Sequence, residues 1–159
     1  MNLPGVLLWG FAATIVLTTT MAIGQGVGYT RMSMPFLVGT MFTPARDRAM
    51  VIGFCVHVAN GMIFALFYAV LLESLHRTGW WLGAGLGLVH AVFVLTVGMA
   101  LMPGLHPQMV SEYFGPTVNR VLQPPGFLAL NYGRRTPFVT IVAHLLYGAI
   151  IGAFYHLAS

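Results

Sequence analysis

The sequence has no lysine, a single cysteine and three acidic residues, Asp47, Glu73 and Glu112, set against seven arginines. Ten charges cannot coat a water-soluble domain, in which roughly a quarter of residues are charged; here the share is 6%. The lone cysteine, Cys55, excludes an intramolecular disulfide and any CxxC motif. A Gly-rich phosphate loop and an HExxH are also missing, and the acidic residues lie far in predicted depth from the histidines. Phosphoryl transfer and Ser-His-Asp hydrolysis therefore have no support. The arginines, at 31, 46, 48, 77, 120, 134 and 135, are scattered, which excludes a nucleic-acid partner. The 58% hydrophobic content excludes disorder.

What is present is long apolar runs. A spanning helix needs about 20 mostly apolar residues. Four segments qualify, at 3–24, 49–72, 79–102 and 137–157, and none holds Asp, Glu or Arg in its interior. The alternation expected of transmembrane strands is absent. The expected fold is an all-α membrane protein, a four-helix bundle forming one transmembrane domain over 1–159. Its first span lacks a basic leader and reads as a retained helix.

Orientation follows from the arginines. The loop at 25–48 carries Arg31, Arg46 and Arg48, the loop at 103–136 carries Arg120, Arg134 and Arg135, and the opposite side has only Arg77. This bias puts both long loops in the cytoplasm and both termini in the periplasm of a bacterial inner membrane. Trp9, Trp80 and Trp81 fall together at the outer interface, as an aromatic belt does.

The second and fourth spans read as copies. A shift of 87 places Arg48, His57, Gly61, Phe67 and Tyr68 on Arg135, His144, Gly148, Phe154 and Tyr155, with Ala65 on Gly152. The first and third spans pair less clearly, a shift of 78 aligning Leu17-Thr18 with Leu95-Thr96. The chain is thus expected to hold two parallel helix-pair repeats, at 1–73 and 79–159. Within each copy the His, the small residues and the Tyr share one helical stripe, and small residues let backbones approach closely.

His57, His90 and His144 all lie inside spans. An ionisable residue there points to function by default. Two facing imidazoles suit the axial positions of haem b, or one suits a chlorophyll-type magnesium or a quinone carbonyl. They also suit a carrier for a small solute or a metal, although no intramembrane carboxylate is present to couple protons. The plain structural reading gives them hydrogen bonds to Thr14, Asn60, Tyr68 or Tyr147 on neighbouring helices.

The loops carry a second pattern. Met32 and Met34, with Met102, His106 and Met109 on the same side, form a thioether and imidazole set of the kind that binds Cu(I). Residues 32–38, MSMPFLV, read as an interfacial or re-entrant segment, and 111–122 as a short interfacial helix. The arginine clusters closing both loops suit anionic lipid headgroups.

The stretches GFLALNYGRRTP and HLLYGAIIGAFYHL, with MSMPFLVGTMF near the start, resemble small bacterial four-helix inner-membrane proteins grouped as domains of unknown function. The resemblance implies the four-helix fold and supplies no activity. The first functional expectation is accordingly a non-enzymatic accessory or assembly subunit, whose partners are the lipid bilayer and other membrane subunits or further copies of itself. The alternatives are a cofactor-binding redox protein built on His57, His144 and His90, and a carrier.

Overall fold

The structure, a computed structural model, describes residues 1–111 and 115–158. Among these residues the regular elements are all helical, and four helices are long and apolar enough to cross a membrane. In chain order they are α1 (Leu3–Gly26), a short α2 (Met34–Gly39), α3 (Arg46–Leu75), α4 (Trp80–Leu105) and α5 (Thr136–Phe154). A tight turn at Phe127–Tyr132 precedes α5.

Local chemistry sets the helix ends. The Asn2 side chain accepts from the Gly5 amide at 3.0 Å, and Pro4 sits in the first turn, where its missing N–H costs nothing. Helix α3 overruns the expected 49–72 at both ends. Asp47 in its first turn suits the helix dipole, and the helix stops where His76 turns left-handed at φ 51°. Helix α4 contains a π-helical stretch, Val94–Gly98, just after His90, and an interior Pro103.

Small residues fix the packing, as they do where lipid supplies no hydrophobic drive between helices. A Cβ added to Gly83 would lie 2.0 Å from the Gly148 carbonyl oxygen, and one on Gly87 2.2 Å from that of His144, so α4 and α5 meet backbone to backbone. Helix α1 packs on α3 through Gly10 against Ala65 and Thr14 against Gly61, and on α5 through Gly24 against Val139. Helices α3 and α4 scarcely approach one another along their backbones. They meet instead through the rings of Phe64, Tyr68 and His90.

Both long loops gather at one end of the bundle and bind each other. The Arg31 amide donates to the Tyr132 carbonyl at 2.7 Å, and the Thr30 and Thr136 hydroxyls lie 2.7 Å apart. The segment expected to be interfacial or re-entrant folds as α2, capped by Ser33 and clamped on α3. A Cβ on Gly53 would stand 1.7 Å from the Pro35 carbonyl oxygen, so only glycine fits there. The helix expected over 111–122 is not formed by its described residues, which make a turn bridged at Thr117 and Arg120; residues 112–114 lie outside the described ones. At the other end, the Tyr155 hydroxyl accepts from the Asn2 amide at 2.9 Å and donates to Glu73 at 2.7 Å.

Candidate functional site

The three histidines from three helices line one cavity of about 140 Å³ in the middle of the bundle. His57 and Asn60 come from α3, one turn apart on one face. His90 comes from α4, His144 and Tyr147 from α5, and Thr14 and Met21 from α1. Met32, from the loop that leads into α2, and Met34, the first residue of α2, also line it.

Each polar group has a distinct hydrogen-bonding state. The His144 Nδ1 lies 2.8 Å from the Thr140 carbonyl oxygen, which can only accept. That nitrogen therefore carries the proton, leaving Nε2 with a free lone pair. His90 Nδ1 meets the Tyr68 hydroxyl at 3.3 Å, and the His90 ring stacks on Phe64 at 3.9 Å between centroids. The Tyr147 hydroxyl donates to the Gly61 carbonyl at 2.5 Å, and the Thr14 hydroxyl to its own helix at Gly10. His57 is different. Its Nε2 is buried and has no hydrogen-bond partner. The Asn60 side chain, exposed at the rim of the cavity near the midpoint of α3, also has none among the described residues. Of the partners the sequence offers, Tyr68 does serve His90; Thr14, Asn60 and Tyr147 make no hydrogen bond to an imidazole.

An unsatisfied buried polar atom costs on the order of 1–3 kcal/mol. Here such an atom lies in apolar surroundings with an amide one turn away, so two hydrogen-bonding groups stay open to the cavity. The site offers donors from Asn60, a donor or acceptor at His57 and an acceptor at His144. The cavity is roomy enough for several waters, but falls below the roughly 300–1,000 Å³ of sites that enclose a whole drug-sized ligand. No porphyrin or chlorophyll macrocycle fits between His90 and His144, whose rings touch edge to face with centroids 4.7 Å apart.

The loop constellation divides. Met32 and Met34 belong to the histidine cavity, while Met102, His106 and Met109 do not line it. His106, only 3% exposed, has both ring nitrogens in use: Nδ1 accepts from the Gln108 amide at 3.1 Å, and Nε2 donates to the Leu37 carbonyl at 2.8 Å. No lone pair remains on it for copper. Among the described residues, no three His, Cys, Asp or Glu side chains stand close enough to hold a metal ion. The three imidazoles thus form the wall of a pocket and do not make a chelate. Four lining residues had no part in the sequence reading: Met21 and Val94, apolar fillers by type, Thr140, one turn before His144, and Phe64, one turn beyond Asn60 on its stripe.

No known protein family matches this chain, and neither a curated protein nor a solved structure is significantly similar to it.

Proposed function

We propose that this chain is a polytopic membrane protein that binds, in its bundle core, the polar ring of a membrane-soluble small molecule of the quinone class. The reading is carried by the unpartnered Nε2 of His57 beside the unpartnered amide of Asn60, both on a cavity at mid-span. A ring with oxygens on opposite sides is hydrogen-bonded by Asn60 and His57 at one edge, and a ring hydroxyl finds its acceptor at His144 Nε2. An accessory place in a larger complex is compatible with this: a bound quinone exchanges electrons with a neighbouring redox subunit. The cavity favours hydrogen bonding over metal transport, because it holds no carboxylate to offset a cation's charge.

Equilibrium binding of a benzoquinone probe to the protein in nanodiscs tests the reading. His57→Leu and Asn60→Leu should each weaken binding about five- to tenfold, the worth of one hydrogen bond of about 1 kcal/mol. Wild-type affinity in both variants would remove the proposal. The proposed orientation, with both long loops cytoplasmic, is checked separately by a C-terminal reporter, expected to be active on the periplasmic side. Cytoplasmic activity would invert it.

A further inference from the structure

We infer that the ligand reaches the histidine cavity sideways from the bilayer, between α3 and α4, and leaves an apolar tail in the groove there. This rests on the ligand reading above and specifies the substrate further: a ring carrying a hydrocarbon chain. A groove of about 470 Å³ runs along the outside of that seam. Its lining is hydrocarbon and aromatic, including Phe67, Leu71, Val89 and Phe93, so it suits a chain and has almost nothing to offer a polar head. It shares two walls with the histidine cavity, Phe64 and His90. Those two rings stack at 3.9 Å and 27°, one from each helix, across a seam where the long helices stand apart. The corresponding seam on the other side, between α1 and α5, is closed by the Val139 side chain packed against Gly24. A change of rotamer at Phe64 therefore joins groove and cavity, with the head beyond the stack at His57 and the tail outside it. The groove, at 470 Å³, lies within the usual range of small-molecule sites.

The test compares a decyl-substituted benzoquinone with the same head lacking the chain, in nanodiscs, with concentrations expressed per lipid. Lipid is already apolar, so the chain gains only packing against the groove, and a preference of about fivefold is expected. Val89→Trp, at a position 68% exposed on the groove and therefore tolerant of bulk, should abolish that preference while leaving the bare head unaffected. Phe64→Ala should speed association of both probes. Equal binding of the two probes to the wild type would mean that bilayer acyl chains fill the groove as well as the tail does, and would overturn this inference alone. So would a Val89→Trp variant that weakens both probes equally. Failure of either probe to bind at all would remove the ligand reading and this inference with it.

Discussion

His106 and His57 are both held inside the protein, and they are opposites. At the loop end, His106 ties two segments together, one ring nitrogen accepting from Gln108 and the other donating to Leu37, with the Thr40 hydroxyl 3.2 Å away. In the bundle core, His57 presents a buried nitrogen to an open space. His106 is fully buried and His57 half-buried with its Nε2 enclosed, but what sets them apart is the fate of their lone pairs. A buried imidazole with both nitrogens satisfied is a rivet. One left wanting, in surroundings where water is scarce, keeps a hydrogen bond open.

The sharpest way to break this comparison is to delete each ring. His106→Ala should cost about 3–4 kcal/mol, because it opens a cavity and orphans the Leu37 carbonyl and the Gln108 amide together. His57→Ala should cost less than about 1 kcal/mol, since it removes a group that was already unsatisfied. Denaturant unfolding in mixed micelles measures both. Equal losses would show that the two histidines do the same structural work.

A second, smaller difference is expected within the core. Read as a repeat, the sequence makes His57 and His144 equivalent and their alanine variants equal in effect. The structure gives His144 a donor bond to Thr140 and leaves it only 7% exposed. His144→Ala should therefore cost about 2 kcal/mol, roughly a kilocalorie or more beyond His57→Ala. Matched stabilities would restore the equivalence that the hydrogen bonding denies.

The same contrast explains what the sequence could and could not convey. The four long helices were legible to within about three residues because a long apolar run has few other fates. Hydropathy misses the polar ends, so Arg46 to Arg48 fall inside α3 although no membrane argument requires them there. The three histidines stood out in the sequence, since each interrupts an apolar span, and the structure brings them to one cavity. The distribution of methionines was not legible, because it depends on a loop that folds back as α2 and carries Met32 and Met34 to the cavity while Met109 stays with the loops. Nor was the pairing of the first and third spans. If the halves are copies, the contacts match Gly10 with Gly83 and Thr14 with Gly87, 73 residues apart and not 78. Tyr68 and Tyr155, matched in sequence, serve His90 in one half and Glu73 in the other.

The smallest effect tests whether the loop end is the rigid partner in this comparison. The Tyr132 hydroxyl donates to the Gln123 carbonyl at 2.7 Å, and its own carbonyl receives the Arg31 amide. Burial pushes its phenol up to about 12, against the opposing pull of the Arg31 charge. A folded-state value above the unfolded value of about 10 means that the neutral phenol's contribution is complete below pH ~10 and is lost as pH climbs through about 12. Tyr132→Phe should cost about 1 kcal/mol at neutral pH, the worth of its one hydrogen bond. Between those two pH values the gap to wild type should narrow, because the wild type alone loses the contribution of this group. Melting curves of both proteins from pH 8 upward measure the gap. A constant gap would mean that Tyr132 ionises freely, and that the loops part more easily than the bundle they close.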